Sequence, residues 1–158
     1  MNPIKPVAVV LGRQPWLPKF AKYIVGLDLL IQKVSRGRLT LLSVAGLPEL
    51  TLSVAGRKSG LIRRTPLLYA PHPAGPLVAG SNWGQEKPPA WVGNLRAAES
   101  ASIEIKGRSS TVTPRELAGA EREAKLAEMT KVWPNYRHYV ERAHPRVIPI
   151  FQLEPTDR

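Results

Sequence analysis

The apolar residues between positions 17 and 34 recur at steps of three and four, which is the spacing of one face of an α-helix. This pattern predicts an amphipathic helix of about five turns that ends near Gly37, a residue type favoured just beyond a helix C-terminus. Two interpretations stay open: the helix packs over a sheet, which we prefer, or it lies on a membrane surface. Its apolar face consists of Leu17, Phe20, Ala21, Ile24, Leu27, Ile31 and Val34, with Lys19, Lys22, Lys33 and Arg36 outside it.

Short apolar runs separated by turn residues fill most of the remaining chain. They predict strands over residues 39–45, 50–55, 62–70, 76–81, 101–106, 109–113 and 147–153. Helices are predicted over 89–98 and 116–132, and a short third helix carries Tyr136 and Tyr139. Because a helix does not follow every strand, parallel βαβ units do not fit. We predict an α+β fold, mainly β: one mostly antiparallel barrel over residues 1–158 with helices packed outside, in which residues 1–15 and 154–158 are loose ends.

Length and composition are those of one globular domain, with 158 residues, 43% of them hydrophobic, and no cysteine. The lack of cysteine excludes disulfides, zinc–thiolate sites, iron–sulfur clusters and cysteine nucleophiles. The net charge is +11, and residues 1–65 hold eleven Lys and Arg against only Asp28 and Glu49. Such an excess indicates an anionic partner: a phosphate-bearing ligand, a nucleic acid or an anionic membrane. No apolar run has the length of a signal peptide or a membrane span, so we expect a cytoplasmic protein, with peripheral contact at the inner membrane face as a further option.

The densest group of cations surrounds a predicted strand-to-strand turn bounded by glycines at positions 56 and 60. Arg57, Lys58, Arg63 and Arg64 fall within eight residues, and Ser59 adds a hydroxyl donor. Arginine binds oxyanions through two parallel hydrogen bonds, so this turn suits a phosphate or a polyanionic tail. An ordinary basic hairpin turn has the same composition, and the residues alone favour neither interpretation.

Hydrolytic and metal chemistry have little support in the sequence. The three histidines lack metal-ligand or catalytic spacing, and the acidic residues form no calcium or magnesium loop, so no metal site is expected. Two patches instead combine aromatic and polar groups in the way that a flat heteroaromatic ligand needs. They are residues 80–84 followed by Trp91 and Asn94, and residues 133–139 with Trp133, Tyr136 and Tyr139. Buried core aromatics would give the same patterns.

The run 52–68, with Gly56-Arg57-Lys58-Ser59-Gly60 and Arg63-x-Thr65-Pro66-Leu67, resembles the deazaflavin-dependent nitroreductase family of actinobacterial flavin-like oxidoreductases. The similarity continues through residues 78–81, 89–95, 115–117, 121–122, 133–139 and 146–150, and so covers nearly all of the chain from about residue 16 to residue 155. Several separated motifs in the same order are more specific than one alone.

The resemblance implies a split β-barrel and coenzyme F420, a deazaflavin with a phospholactyl-oligoglutamate tail. It implies that the glycine-bounded turn and the arginine after it hold the acidic tail. Ser81 and Tyr136 are the candidates for polarising the acceptor or donating a proton, and Trp133, Tyr136 and Tyr139 would border the substrate. The implied cofactor-binding residues are Arg57, Lys58, Ser59, Arg63, Arg64, Thr65, Pro66, Leu67, Leu68, Ala79, Gly80, Ser81, Asn82, Ala90, Trp91, Val92, Gly93, Asn94 and Tyr136.

The implied activity is hydride transfer from F420H2 to a small hydrophobic acceptor: a quinone, an enone or a nitro compound. This chain departs from the family's usual pattern at Leu68, Trp83 and Val92, which leaves the identity of the acceptor open. The alternatives are a non-catalytic barrel that binds lipid or fatty acid, and a barrel that uses FMN. Nucleic-acid binding has least support, because aromatic RNA-binding strands and recognition-helix patterns are missing. No pattern indicates the oligomeric state.

Overall fold

A computed structural model describes residues 3–36 and 39–156 of the chain. Its α-helices are α1 (Ile4–Gly12), α2 (Ala21–Val34), α3 (Leu41–Val44), α4 (Ala90–Ala97), α5 (Gly119–Val132) and α6 (Tyr136–Ala143). Two 3₁₀ turns span Leu17–Phe20 and Asn82–Gly84. The strands are β1 (Glu49–Ala55), β2 (Ile62–Leu68), β3 (Leu77–Ala79), β4 (Ala101–Ile105), β5 (Arg108–Glu116) and β6 (Ile150–Pro155).

All six strands belong to one antiparallel sheet, in the order β2-β1-β4-β5-β6-β3. The edge strands β2 and β3 both contribute residues to a single cavity, because the sheet curls back on itself into a split half-barrel. The helices lie around this sheet. The predicted α+β fold, mainly antiparallel β with helices outside, is therefore confirmed.

Buried residues alternate with partly exposed residues along β1, and this alternation fixes the register of β1 in the sheet. Leu50, Leu52 and Val54 are buried, whereas the residues between them are only partly covered. Each fully buried leucine contributes about 1.5–3 kcal/mol relative to an exposed one, and a shift of one residue would turn all three outward. These side chains pack with Trp91 and Phe151, whose rings lie 6.1 Å apart, and this cluster holds α4 against the sheet.

Residues 41–44 are helical, so the strand predicted over residues 39–45 is wrong. The Thr40 hydroxyl accepts a hydrogen bond from the Ser43 N–H (3.2 Å), and the Thr40 N–H donates to the Ser43 hydroxyl (2.8 Å). This reciprocal capping box satisfies two backbone donors within one turn and starts a helix. The local hydrogen bonds outweigh the β preference of the surrounding apolar residues.

Residues 4–12 form a helix that contacts the C-terminal half of the chain, so the prediction that residues 1–15 are loose is wrong for this part, while residues 1 and 2 lie outside the described residues. The Asn135 side-chain amide donates to the carbonyl of Val9 (2.8 Å), and the Tyr139 hydroxyl donates to the carbonyl of Gly12 (2.9 Å). A Cβ atom on Gly12 would lie 2.6 Å from the Trp133 ring, so the missing side chain lets α1 approach the connection between α5 and α6 closely. These contacts dock α1 onto the C-terminal half of the chain.

The predicted helix over residues 17–34 occurs as the first 3₁₀ turn followed by α2. The preferred interpretation, a helix packed over a sheet, is not confirmed, since no residue of α2 is buried and α2 instead lines the cavity across from β2. Asp28 attaches it to α3, where its carboxylate accepts a hydrogen bond from the Leu41 N–H (2.7 Å). The helix stop predicted at Gly37 lies outside the described residues.

The remaining predicted elements occur with shifted ends. β5 extends to Glu116, which pairs with Phe151 of β6, and α5 therefore begins at Gly119 rather than at Glu116. β6 begins three residues later than predicted and continues through Pro155, so the predicted loose end at residue 154 lies within the sheet.

Candidate active site

A cavity of about 560 Å³ lies where the two edge strands meet. Helix α2 and the turn of α3 form one side of it, and α6 with the loop after β3 forms the other. Its wall is mainly apolar with a few polar groups, which is typical of small-molecule sites. The lining residues are Ile24, Val25, Asp28, Leu29, Gln32, Thr40, Leu41, Leu42, Leu47, Glu49, Arg64, Thr65, Pro66, Leu67, Leu68, Ala79, Ser81, Asn82, Trp83, Pro89, Trp91, Trp133, Tyr136 and Tyr139.

The cationic hairpin, residues 56–64, joins β1 to β2 and continues along β2 to the cavity wall. Its turn is held by backbone hydrogen bonds from the Gly56 N–H to the Leu61 carbonyl (2.8 Å) and from the Gly60 N–H to the Gly56 carbonyl (2.7 Å). Gly60 has a φ of +69°, a conformation that glycine adopts without steric cost. The tip is therefore a defined platform for its exposed side chains.

The Arg57 side chain is exposed, but its guanidinium is hydrogen bonded to residues at the start of α4. Its N–H and its Nη1 both donate to the Asn94 Oδ1, at 3.1 and 3.3 Å. Asn94 is only 7% exposed, so its amide is a fixed acceptor. A Cβ atom on Gly93 would lie 2.4 Å from the Arg57 Nη1, so the absence of a side chain there makes room for the guanidinium.

The positive charge of the hairpin is largely uncompensated. Lys58 and Arg63 are exposed, and neither side chain has an ion pair or hydrogen bond among the residues that the structure describes. Arg57 contacts only neutral oxygens. Arg64 lies 3.5 Å from Glu104, but both side chains are well exposed and such pairs contribute little. The hairpin is thus electrostatically suited to an anionic group.

The loop after β3 carries two residues in the left-handed region, Asn82 (φ 45°) and Trp83 (φ 52°). For residues with side chains this conformation costs about 1–3 kcal/mol each. Two arginines hold the loop: Arg146 donates to the carbonyls of Gly80, Ser81 and Gln85 at 2.8–3.1 Å, and Arg142 donates to that of Trp83 at 2.8 Å. Burial lowers the pKa of the Arg146 guanidinium. This clamp keeps Trp83 in the cavity wall.

The two tyrosine hydroxyl groups of the aromatic wall differ in their hydrogen bonding. The Tyr139 hydroxyl is engaged, since it donates to Gly12 and receives the Trp133 Nε1 at 3.4 Å. No described residue hydrogen bonds to the Tyr136 hydroxyl, although its ring is buried and packs edge-on against that of Tyr139. Burial raises the pKa of both phenols. Tyr136 therefore presents a neutral phenol that is free to donate to a ligand.

The predicted site residues divide into two groups. Those on the cavity wall are Arg64, Thr65, Pro66, Leu67, Leu68, Ala79, Ser81, Asn82, Trp91, Trp133, Tyr136 and Tyr139. Those outside it are Arg57, Lys58, Ser59, Arg63, Gly80, Ala90, Val92, Gly93 and Asn94. Val92 is fully buried in the core and is not part of the cavity wall. Its role as a cofactor contact stays a prediction.

Several wall residues were not predicted from the sequence. Asp28 and Gln32 come from α2, Thr40 from the cap of α3, and Glu49 from the start of β1. One signal in the sequence could have indicated this part of the wall: Asp28 and Glu49 are the only acidic residues in the strongly basic segment 1–65. Arg142 and Arg146 were likewise missed as the clamp of the loop.

A metal site and a membrane-spanning helix each have structural requirements that the described residues do not meet. Among the described residues, no group of three or more His, Asp or Glu side chains is placed to hold a metal ion. Within the same residues, no helix has both the length and the apolar character that crossing a bilayer requires.

Comparison with known proteins gives consistent results. The model of the family described as F420H(2)-dependent quinone reductase matches residues 31–155. An F420-H2 dependent reductase (FDR-A) is similar at 30% identity and a TM-score of 0.62, over 68% of this chain and 94% of that one. A domain-swapped dimer is similar at 26% identity and a TM-score of 0.64, over 88% and 97% of the two chains. The haem storage protein HutZ from Vibrio cholerae, at 12% identity and a TM-score of 0.54 over 84% and 92%, shares the fold alone.

The matched segment contains the cationic hairpin, both edge strands and the aromatic wall of the cavity. The region of sequence similarity therefore includes these parts of the site. The match confirms the predicted reductase activity and the predicted cofactor, F420. The chain belongs to the F420H2-dependent quinone reductase family and is an F420-dependent reductase.

Proposed function

We propose that this reductase binds F420H2 with its acidic tail on the cationic hairpin and reduces a hydrophobic conjugated acceptor, a quinone, enone or nitro compound, within the cavity. One observation carries the proposal: an apolar cavity and an uncompensated cluster of cations lie at the two ends of the same strand, β2. A tricyclic ring with a polyanionic tail needs both surfaces at once.

The residues present fit coenzyme F420. The cavity volume of about 560 Å³ lies within the range of small-ligand sites. Arg57, Lys58, Ser59 and Arg63 would hold the phosphate and carboxylates of the tail, and Gly93 leaves the space that Arg57 occupies. Residues 65–68 of β2 and 79–82 beyond β3 would border the ring.

When bound, the reduced deazaflavin supplies the hydride, and the chain needs no nucleophile of its own. Its residues orient the acceptor, exclude water and supply hydrogen bonds where charge develops. The neutral Tyr136 phenol is the donor best placed to polarise an acceptor oxygen, and the Ser81 hydroxyl is a second candidate. Trp133 and Tyr139 would form the apolar side of the acceptor site.

Titration of the purified protein with F420, followed by F420 fluorescence, tests this proposal, with FMN as the matched flavin. Saturable F420 binding, no FMN binding and oxidation of F420H2 by a naphthoquinone are expected. Bound FMN in the purified protein, with no affinity for F420, would contradict it. Binding of fatty acid without F420 binding would favour the non-catalytic alternative.

We further propose that the protein works in the cytoplasm in peripheral contact with the inner membrane face, and the surface of α2 and of the 3₁₀ turn before it supports this. Six apolar residues at alternating steps of four and three are exposed by 44–77%, and large exposed apolar patches mark interaction surfaces. Lysines at positions 19, 22 and 33 flank this stripe, and each contributes about 1 kcal/mol at an anionic surface. The stripe consists of Trp16, Phe20, Tyr23, Leu27, Leu30 and Val34.

The opposite face of α2, with Asp28 and Gln32, lines the cavity. A membrane-bound α2 would therefore bring a lipid-dissolved acceptor within one helix diameter of the cavity. Sedimentation with phosphatidylglycerol vesicles tests this part, with phosphatidylcholine vesicles for comparison. Leu30→Glu is expected to weaken binding to anionic vesicles about tenfold, and Val147→Glu, at an exposed apolar residue elsewhere, is expected to have no effect. Equal effects of both variants would contradict it.

A further inference from the structure

The charged groups of the cavity wall are unevenly distributed. Among the described lining residues, Asp28, Glu49 and Arg64 are the ones with charged side chains. The Arg64 side chain is 64% exposed and directed toward Glu104 on β4. Asp28 and Glu49 approach each other at the start of α3, and no cation of the described residues bridges them. The cavity thus has an acidic corner, formed by Asp28 and Glu49. The acidic tail of F420, which we place on the cationic hairpin, does not contact this corner.

The two carboxyl groups of this corner are held differently. Both Asp28 oxygens accept hydrogen bonds, from the Leu41 N–H (2.7 Å) and from the Gln32 amide (2.7 Å). Glu49 accepts from the Thr40 hydroxyl on one oxygen, and the Ser43 backbone contributes further. The hydrogen bonds of Asp28 join α2 to α3, whereas those of Glu49 come from the first turn of α3, and the Glu49 residue lines the cavity.

The surroundings of Glu49 favour its neutral form. Burial raises the pKa of this carboxyl, and the negative charge of Asp28 adds to the effect, while the hydrogen bonds from Thr40 and Ser43 oppose it. The other titratable or charged groups of the cavity are Arg64 on β2 and the buried phenols of Tyr136 and Tyr139 on α6. A carboxyl group whose pKa is raised by burial beside an apolar cavity is a suitable general acid.

We propose that Glu49 is the proton donor that completes reduction of the acceptor, with Asp28 as the positioning residue beside it. This inference rests on the proposed reduction of a conjugated carbonyl compound in this cavity. A hydride brings one electron pair and one hydrogen to the acceptor, and the electrons displaced from its π system collect on a carbonyl oxygen. That oxygen takes the proton of Glu49 and becomes a hydroxyl group, and the Glu49 carboxylate regains a proton from water.

The first test uses the protein without cofactor. Carbon NMR of the protein labelled at the glutamate carboxyl carbons follows each carboxyl group with pH, and Glu49→Gln assigns the Glu49 signal. A Glu49 midpoint above the ordinary range of glutamate is expected, and Asp28→Asn should lower it because a nearby negative charge is removed. A Glu49 midpoint within the ordinary range would overturn the inference.

The second test is the pH profile of quinone reduction by F420H2. Because the neutral acid is the active form, turnover should be highest at low pH and fall as the pH rises through the Glu49 midpoint. Glu49→Gln is expected to lower kcat by at least a hundredfold and to abolish this decline, with little change in KM. Asp28→Asn should move the decline to lower pH, and Glu99→Gln, at an exposed position, should leave the profile unchanged.

The outcomes separate the two proposals. A wild-type protein that binds F420H2 but reduces no quinone, enone or nitro compound would refute the proposed function. Normal reduction with the same pH-dependent decline in Glu49→Gln would refute only the role of Glu49. Thermal unfolding of Glu49→Gln is expected to match that of the wild type, since glutamine retains an acceptor for the Thr40 hydroxyl.

Discussion

The substitution Gly93→Ala tests whether the position of Arg57, and not merely its charge, matters for binding the acidic tail. The new Cβ atom would lie 2.4 Å from the Arg57 Nη1 and 2.8 Å from its Cζ, which is closer than non-bonded atoms approach. The guanidinium is the flexible end of an exposed side chain, so it will move away rather than distort α4. It then loses the 3.3 Å hydrogen bond to Asn94.

The consequences for stability and for binding differ in size. Alanine is about 1 kcal/mol better than glycine inside a helix, which offsets the loss of one hydrogen bond worth about 0.5–1.5 kcal/mol. The melting temperature should therefore stay close to that of the wild type. Loss of one well-placed charge-assisted contact to the tail should weaken F420 binding by about 1.4 kcal/mol, which is about tenfold.

Fluorescence titration with F420 at low and at moderate ionic strength measures this effect. Arg57→Ala should weaken binding at least as much as Gly93→Ala, and the difference from the wild type should shrink with salt because the charges are exposed. Lys131→Ala removes one exposed cation on α5 and controls for net charge. Wild-type affinity in Gly93→Ala, or an equal loss in Lys131→Ala, would refute the role given to the position of Arg57.

Four further predictions follow from other parts of the structure. Arg146→Ala removes the donor to three loop carbonyls and should lower the unfolding free energy by about 2–4 kcal/mol in denaturant titration. Tyr136→Phe should reduce kcat about tenfold without changing the melting temperature, because its hydroxyl has no partner among the described residues. Leu52→Ala should cost about 2–5 kcal/mol by the same titration. The hydrogen bonds of Arg96 lower the pKa of Glu116, so this pair stabilises the fold at pH values above the ordinary pKa of glutamate and loses its effect as the pH falls. In Arg96→Ala, the free energy of unfolding should therefore decrease less on acidification than in the wild type.

The parts of the fold that short-range patterns determine were predictable from the sequence. The alternation of Leu50, Leu52 and Val54 specifies a half-buried strand, and the glycines at 56 and 60 specify the turn that follows it. Both features depend on residues within one strand or one turn, where the physical rule needs no knowledge of the rest of the chain.

The parts that depend on distant residues were not predictable in the same way. The order of α1 depends on Asn135 and Tyr139, more than 120 residues away in the chain. The acidic corner forms because α2 and the start of β1 meet at the cap of α3, and periodicity alone does not bring Asp28 to Glu49. The wall of the cavity thus depends on tertiary structure, whereas the hairpin beside it could be predicted from the sequence.

The central claim is that the cationic hairpin holds the acidic tail while the cavity takes the ring. The most direct measurement compares the affinity of the wild-type protein for F420 with its affinity for the same deazaflavin lacking the phospholactyl-oligoglutamate tail. We expect intact F420 to bind at least a hundredfold more tightly, because its tail makes at least two charge-assisted contacts, and we expect a double Arg57→Ala, Lys58→Ala variant to lose most of this difference. Equal affinity of the wild-type protein for both compounds would contradict it.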